Sequence, residues 1–238
     1  MGLGVRRRVQ RRMVSRVSRE VRDRGLTYLS LAKLRRLERC ARAVEAGGIP
    51  GGFLEAGVAL GGSAALLASL LPPSARFDGY DVFGLIPPTG DRDDAKSHER
   101  YAEIAAGGSR GIGGDEYYGY LDDLYERVCE TLASFGTPVD GKRVALHRGL
   151  FEDTLHFAEG QRIALVHLDC DWYDSVRICL ERTYPALSRG GFIVSDDYYT
   201  YGGCRDAVDE FLALHDDLQP VDIPATVGPQ VNLVLRRS

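Results

Sequence analysis

Four aspartates follow two apolar segments of the sequence and could bind a metal ion or move a proton. Asp169 and Asp171 come directly after the apolar run Ala164–Leu168, and Asp196 and Asp197 end a second run, GGFIVSDDY. Carboxylates held together without a counter-charge repel one another, and an oxygen-preferring divalent cation such as Mg²⁺ removes that cost. No lysine or arginine lies within two positions of either pair. The spacing therefore favours a metal site over solvated acids at strand ends.

The acids end two strands in a sequence that alternates between strand and helix patterns. Short apolar runs predict strands at 51–57, 76–83, 142–149, 162–169 and 192–197, followed by QPVDIP and QVNLVLRR. Helical periodicity predicts helices that include 27–46, 63–71, 116–136, 175–191 and 203–215. This alternation predicts one α/β domain with a doubly wound, mostly parallel seven-stranded sheet and helices on both faces. The last two strands have no helix between them, so the last is expected to run antiparallel.

The order of the strands predicts where the acids meet. In a parallel sheet, ligands bind beyond the carboxyl ends of the strands, near the point where the strand order reverses. The strands that end at Asp169 and Asp196 are consecutive and joined by one helix, so they are expected to be neighbours about 5 Å apart. We therefore predict that Asp169, Asp196 and Asp197 converge on one cation.

A glycine-rich turn after the first strand indicates a second binding element. The sequence EAGVALGGS, residues 55–63, opens a helix, and Gly57, Gly61 and Gly62 would let the backbone approach a ligand closely. Asp81 ends the next strand and is placed to accept the two hydroxyls of a ribose. A nucleoside cofactor is predicted, with NAD and S-adenosylmethionine as the candidates. An NAD oxidoreductase would be expected to carry G-x-G-x-x-G, which this turn does not match.

The charge distribution separates the N-terminus from the rest of the chain. Residues 1–24 carry nine Arg against two acids, a net charge of +7, and since the whole chain carries −4, the remainder carries −11. An acidic body argues against nucleic-acid binding. Apolar side chains recur every four residues from Val5 to Val21, which predicts an amphipathic helix within an N-terminal arm, residues 1–26. We expect this arm to lie on the protein's own body or on a second subunit rather than on a membrane, and the protein to be a homo-oligomer, in the simplest case a dimer.

Cysteine usage and hydropathy bear on the compartment. The five cysteines are scattered and include no C-x-x-C pair, so neither a disulfide framework nor a thiolate metal site is expected. The cytoplasm is the expected location because its reducing conditions suit free thiols. No apolar run approaches the roughly 18 residues of a transmembrane helix, and no membrane span is expected.

A series of motifs between Thr27 and Phe211 resembles one enzyme family. In order they are IPGGFLEAGV, DVFGL, GLFEDTL, LDCDWYDS, TYPALSRGGFIVSDDY and GCRDAVDEF. Together they are similar to the macrocin O-methyltransferase (TylF-like) family, class I methyltransferases that use S-adenosylmethionine and Mg²⁺ on antibiotic sugars. The resemblance implies the Rossmann-like fold of that class for residues 27–238. It also makes the unusual segment 86–120 the expected substrate lid.

The resemblance implies roles for individual residues. Asp169, Asp196 and Asp197 fall on the family's metal ligands, and Asp171 falls on its proposed general base. Cys170 and Trp172 depart from the family pattern beside the metal. The implied contacts to S-adenosylmethionine are Thr27, Tyr28, Glu55, Ala56, Gly57, Val58, Ala59, Ser63, Asp81, Phe83 and Asp153.

The predicted function is an O-methyltransferase that acts on a hydroxyl of a small molecule, chiefly the sugar moiety of a glycosylated natural product. Asp171 lies two residues beyond Asp169, and alternate residues of a strand share a face, so a ligand and a base would lie side by side. A catechol-type acceptor is the alternative within enzymes. A non-catalytic binding protein on the same fold is the other alternative, and the intact set of acids argues against it.

Overall fold

The computed structural model describes residues 13–223 and 231–238, which form a single seven-stranded sheet with helices on both faces. The strands are β1 (Gly52–Ala56), β2 (Phe77–Asp81), β3 (Val144–Arg148), β4 (Ile163–Leu168), β5 (Leu187–Ser195), β6 (Leu218–Pro220) and β7 (Leu233–Arg237). Their order is β3-β2-β1-β4-β5-β7-β6. Strand β7 is antiparallel to both of its neighbours, and the other pairs are parallel. The predicted mostly parallel sheet with an antiparallel last strand is confirmed.

Eight α-helices of the described residues surround this sheet. They are α1 (Arg16–Asp23), α2 (Leu31–Ala46), α3 (Gly62–Ser69), α4 (Ala95–Ala105), α5 (Leu124–Ser134), α6 (Phe151–Thr154), α7 (Tyr173–Thr183) and α8 (Gly202–Leu212). Short 3₁₀ turns occupy Ile112–Gly114, Tyr118–Tyr120 and Tyr184–Ala186. Within the described residues, no helix combines the length and apolar character needed to cross a membrane.

The core consists of two hydrophobic clusters, one on each face of the sheet. Side chains of α1, α2, α3 and α5 pack in one cluster, and side chains of α7 and α8 pack in the other. Successive strand residues point to opposite faces, so Phe53 and Leu165 join the first cluster while Leu54 and Val166 join the second. Full burial of each such side chain contributes about 1.5–3 kcal/mol, which makes both faces of β1 and β4 a rigid support for the strand ends.

Three predicted helices have different bounds in the structure. The helix predicted at 116–136 begins only at Leu124, after the 3₁₀ turn Tyr118–Tyr120. The helix predicted at 27–46 begins only at Leu31, because the Thr27 hydroxyl accepts a hydrogen bond from Leu29 N and Ser30 caps the helix. The helix predicted at 175–191 ends at Thr183, and β5 already begins at Leu187. Pro185 lies between them and cannot donate to a continuing helix.

The described part of the predicted N-terminal arm packs on the body of the protein. Residues 1–12 lie outside the described residues, so the first turns of the predicted helix are not described. In α1, Val21 is fully buried in the core and Ser18 donates a buried hydrogen bond to Glu38 of α2. The backbone N–H of Ser15 donates to the same carboxylate over 2.8 Å. These contacts attach residues 13–23 to the domain through the buried side chains of Ser18 and Val21.

Candidate active site

Three aspartates meet at the carboxyl ends of β4 and β5. Carboxylate oxygens of Asp169, Asp171 and Asp197 lie within 4.8 Å of one another, and we call these three residues the carboxylate cluster. The strands are adjacent, with Leu168 paired to Ser195, as the sequence predicted. Asp169 N also donates to Ala56 O at the end of β1 over 2.9 Å, so the cluster lies where the strand order reverses between β1 and β4.

The carboxylate cluster is short of positive charge. Burial and the neighbouring charges of Asp196 and Asp197 raise the pKa of Asp169 well above its usual value. Burial and Asp197 do the same to the pKa of Asp171. Asp197 Oδ2 is buried and finds no hydrogen-bond partner among the described residues. Several close carboxylate oxygens, one of them unpartnered, are a donor set that fits a hard divalent cation such as Mg²⁺.

Of the three acids predicted to converge, the structure groups Asp169 and Asp197 with Asp171, whereas Asp196 pairs with a lysine that no local sequence signal indicated. Lys33, in the first turn of α2, forms an ion pair with Asp196 Oδ2, and its Nζ also lies 3.3 Å from Asp196 O. Asn232 Nδ2 lies 3.4 Å from Asp196 Oδ1. Burial opposes the charge on Lys33, but Asp196 outweighs it, and the pKa of Lys33 rises. The acids therefore have no basic neighbour along the chain, but Lys33 lies beside Asp196 in the folded protein.

Asp171 reaches the cluster through a strained backbone. β4 ends at Leu168, so the alternation of strand faces that was used to orient Asp171 does not extend to it. Instead Asp171 has a φ of 54°, in the left-handed region that non-glycine residues rarely adopt. In the described chain the other non-glycine residues with positive φ are Ala59 and Phe83, in the neighbouring turns. Backbone strain of this kind costs about 1–3 kcal/mol per residue and is found mainly where a fold must hold particular groups in place.

Asp81 holds the turn after β1 in place. Its Oδ2 accepts hydrogen bonds from the N–H groups of Val58 and Ala59 over 2.8 and 2.9 Å, and its Oδ1 accepts from Phe83 N over 2.7 Å. Burial raises the pKa of Asp81 against the effect of these bonds. A carboxylate offers about four acceptor positions, and the backbone of the protein therefore occupies most of those of Asp81. Asp81 thus shapes the turn as well as lining the cavities.

The glycines of the turn after β1 are required for a reason that the sequence did not indicate. A Cβ on Gly57 would lie 1.9 Å from Asp169 O, and a Cβ on Gly62 would lie 2.3 Å from Leu26 O. A Cβ on Gly61 would touch Val128 Cγ1 at 3.0 Å. These positions therefore require glycine because protein backbone and helix α5 pack against the turn, and not only to admit a ligand.

Glu55 is buried in the core and forms a pair with His167. Both side chains are fully buried, and His167 Nδ1 lies 2.8 Å from Glu55 Oε1. His167 Nε2 lies 4.0 Å from Asp196 Oδ1, an electrostatic contact rather than a hydrogen bond. Burial disfavours the charged ring, but Asp196 and Glu55 outweigh it and raise the pKa of His167 to about 10. His167 therefore lies beneath the acids, within β4, and balances their negative charge. The sequence did not indicate this role because the neighbours of His167 in the strand are apolar.

Two adjoining cavities open at the carboxylate cluster. The tyrosine cavity, about 230 Å³, is lined by Tyr28, Tyr117, Tyr118 and Tyr201 together with Lys33, Arg100 and the cluster. The proline cavity, about 240 Å³, is lined by Pro87, Pro88, Ile86, Leu150, Phe151 and Glu152 among others. Gly57, Asp81, Tyr118, Asp169 and Asp171 line both cavities. Asp169 and Asp171 are half-buried, enclosed by protein yet open to both sides.

The residues expected to contact the cofactor divide into three groups. Tyr28, Gly57, Ala59 and Asp81 line the cavities. Asp153 is exposed on α6 and lies outside the lining, where Glu152 takes its place. The others are buried behind the walls, where their side chains support the turns: Thr27, Glu55, Ala56, Val58, Ser63 and Phe83.

Comparison with known proteins assigns this architecture to a family. The model of the macrocin O-methyltransferase (TylF) family matches residues 6–227. The chain belongs to this family. It is 32% identical over 199 residues to a tetracenomycin O-methyltransferase of Streptomyces olivaceus, a match that covers 82% of this chain and 70% of the relative. It is 29% identical over 206 residues to mycinamicin III 3''-O-methyltransferase of Micromonospora griseorubida, covering 82% and 75%.

Solved structures support the same assignment. The O-methyltransferase NovP is 25% identical and superimposes with a TM-score of 0.73, covering 92% of this chain and 88% of that one. The calicheamicin methyltransferase CalS11, at 20% identity and a TM-score of 0.65, covers 99% and 94% and shows the fold. The chain is therefore an O-methyltransferase with the class I methyltransferase fold.

In this family member, segment 86–120 contributes to the walls of both cavities and is anchored at several points. Trp172 Nε1 donates to Pro87 O over 3.0 Å, and Tyr173 N donates to Asp93 Oδ1 over 2.8 Å. Asp94 caps α4 and also accepts from Gly202 N over 2.7 Å, at the start of α8. Trp172 thus ties this segment to the loop that carries Asp171.

Proposed function

We propose that this O-methyltransferase transfers a methyl group from S-adenosylmethionine to a hydroxyl on the sugar moiety of a glycosylated natural product, with Mg²⁺ at the aspartates. The observation that carries the proposal is the carboxylate cluster between two cavities, because a transferase must bring a donor and an acceptor to one point. The Streptomyces olivaceus relative supports the acceptor class, since its name specifies a rhamnosyl tetracenomycin.

The proline cavity suits the donor. Its walls combine apolar side chains such as Ile86 and Phe151 with the acids Asp81 and Glu152. Flat apolar surfaces suit an adenine ring, and carboxylates suit ribose hydroxyls. Asp169 and Asp171 border this cavity and would supply negative charge to a cationic sulfonium bound there.

The tyrosine cavity suits a sugar acceptor. Tyr117 and Tyr118 have ring centroids 4.4 Å apart, and Tyr28 lies 6.0 Å from Tyr118. The rings offer apolar faces to sugar C–H groups, while tyrosine hydroxyls and Arg100 offer polar groups to sugar oxygens. Segment 86–120 contributes Arg100, Tyr117 and Tyr118, so we propose that it is the substrate lid and sets the choice of acceptor.

The chain's own residues can perform the chemistry at the junction of the cavities. S-adenosylmethionine supplies an activated methyl group, and Mg²⁺ supplies positive charge that strengthens a hydroxyl as an acid. Asp169 and Asp197 of the carboxylate cluster would hold the cation, together with Asp196 once its carboxylate leaves Lys33. The carboxylate of Asp171, which faces both cavities, takes the hydroxyl proton as general base. The lid excludes water from the junction.

S-adenosylhomocysteine is expected to stabilise the protein in a thermal-shift assay, whereas NAD⁺ is not. A ligand at about 100 times its Kd adds about 2.7 kcal/mol, which corresponds to on the order of 5 °C in Tm for a chain of this size.

Asp81→Ala should weaken binding by roughly 1–3 kcal/mol, because ligand hydroxyls and turn N–H groups lose their acceptor. Asp153→Ala is the matched control, since that acid lies outside the cavities, and isothermal titration calorimetry measures both. A response to NAD⁺ alone would contradict the choice of cofactor.

Methyl transfer should occur with glycosylated natural products and should stop when EDTA removes divalent ions. A panel of glycosides, their aglycones and simple catechols, assayed with methyl-labelled S-adenosylmethionine, distinguishes the acceptor classes. Labelling of the glycoside but not of its aglycone supports a sugar hydroxyl. Labelling of catechols alone would replace the sugar by a catechol-type acceptor, which could also stack on the tyrosines.

A further inference from the structure

Lys33 is the cation that contacts Asp196, and it also lines the tyrosine cavity. It lies in the first turn of α2, where Ser30 caps the helix by accepting from Lys33 N over 3.3 Å. Its side chain is 19% exposed and that of Asp196 only 4%, so the pair is largely shielded from water. An ion pair in such a place is much stronger than one on the surface, because the medium screens it less.

The environment of Asp196 differs from that of its sequence neighbour Asp197. Both oxygens of Asp196 face positive or donor groups, Lys33 on one side and Asn232 with His167 on the other. Asp197 instead faces Asp169 and Asp171, and its Oδ2 has no hydrogen-bond partner among the described residues. Of the two adjacent acids, Asp196 is therefore paired directly with a lysine, and Asp197 has no direct ion pair among the described residues.

We propose that Lys33 is a positioning residue that competes with the divalent cation for Asp196. In the metal-free protein Lys33 neutralises Asp196 and stabilises an otherwise repulsive group of acids. When the cation binds, Asp196 must exchange the lysine for the ion. This inference rests on the proposed metal site, and it adds that the chain itself lowers the affinity of that site.

A purely structural ion pair would behave differently from a competitor. Loss of a structural pair leaves a buried charge unpaired and destabilises the protein whether or not metal is present. Loss of a competitor also destabilises the metal-free protein, but it improves metal binding, and the added metal then restores stability. Metal affinity thus separates the two roles.

The test is isothermal titration of Mg²⁺ into EDTA-treated, desalted full-length protein. Lys33→Met removes the charge while keeping an unbranched apolar chain, and we expect it to bind Mg²⁺ about 10-fold more tightly, because the ion no longer has to displace the ammonium group from Asp196. Lys33→Arg keeps the charge and should bind Mg²⁺ as the wild type does. Lys142→Met is the matched control, because Lys142 is exposed and remote from the acids, and it should leave the affinity unchanged.

Two further measurements make the result specific to Asp196. In EDTA, Lys33→Met should unfold at a lower temperature than the wild type, and Mg²⁺ should raise its Tm by more than that of the wild type. In an Asp196→Asn background, adding Lys33→Met should improve Mg²⁺ affinity by much less, because the contested carboxylate is gone and only the longer-range charge of Lys33 on Asp169 and Asp197 remains. An equal improvement in both backgrounds would show only a general charge effect and overturn the competition.

The outcomes separate this inference from the proposed function. If wild type and variants all fail to bind Mg²⁺, the metal site itself is wrong and the competition falls with it. If the wild type binds Mg²⁺ but Lys33→Met binds it no better, the metal site stands and the competition alone is overturned.

Discussion

Asp171→Asn is expected to lower kcat by about 10²–10⁴-fold, the range typical of a lost general base, while cofactor and Mg²⁺ still bind. Asparagine has the size of aspartate and tolerates the left-handed backbone at this position, so the loop should keep its shape. The lost function is acceptance of the hydroxyl proton. The defect should therefore shrink as the pH rises, since hydroxide can replace the base. Initial rates across pH, with binding titrations of Mg²⁺ and S-adenosylhomocysteine, measure both parts.

Asp169→Asn is the companion variant and should fail in a different way. It removes a proposed ligand, so Mg²⁺ affinity falls and a high Mg²⁺ concentration recovers part of the activity. The comparison matters because both residues belong to the carboxylate cluster, within 4.8 Å of each other. If excess Mg²⁺ rescues Asp171→Asn instead, Asp171 is a ligand and not the base. Full wild-type activity in EDTA would remove the essential ion from the mechanism.

Gly57→Ala is expected to destabilise the fold by more than about 4 kcal/mol, a size reached only by severe steric or buried-charge defects. The new Cβ would lie 1.9 Å from Asp169 O, which is backbone and cannot rotate away, at a φ of 92°. β1 and β4 would have to separate at their carboxyl ends, where the carboxylate cluster is built. Urea denaturation followed by circular dichroism, together with the yield of soluble protein, measures the loss.

Gly48→Ala provides the matched control for this substitution. Gly48 also has a positive φ, 58°, but a Cβ there would find no described heavy atom within 4 Å. Its cost should be only about 1–2 kcal/mol, the penalty of a left-handed alanine. The difference between the two variants isolates the contact with Asp169. Equal losses in the two variants would mean that the ends of β1 and β4 are not in contact at Gly57.

Patterns within short stretches of sequence were enough to predict the fold and the position of the acids. Alternating strand and helix patterns predicted the sheet, and a single connecting helix predicted that β4 and β5 are neighbours, which the pairing of Leu168 with Ser195 confirms. These features depend on residues close together along the chain. The ends of helices and strands were predicted less well. Residues 187–190 were assigned to the end of a helix, yet they belong to β5, where Leu187 pairs with Ile163.

The roles of the individual site residues depend on contacts between segments that lie far apart in the sequence. Lys33 and Asp196 are 163 positions apart, and Glu55 and His167 are 112 apart, so no spacing rule links them. The choice between Glu152 and Asp153 depended on which face α6 turns toward the cavity. A four-residue helix has too few positions for periodicity to decide that.

The sequence by itself determined a mostly parallel α/β fold whose strand ends carry acids, because strand formation and chain order are local properties, and its motifs supplied the resemblance to class I methyltransferases. Only the tertiary structure decided how those acids are used. Packing brings Lys33 to Asp196 and His167 to Glu55, while Asp169, Asp171 and Asp197 remain together without such a partner among the described residues. Electrostatic energy depends on distance in space, and the fold sets that distance between charges that lie far apart in the sequence.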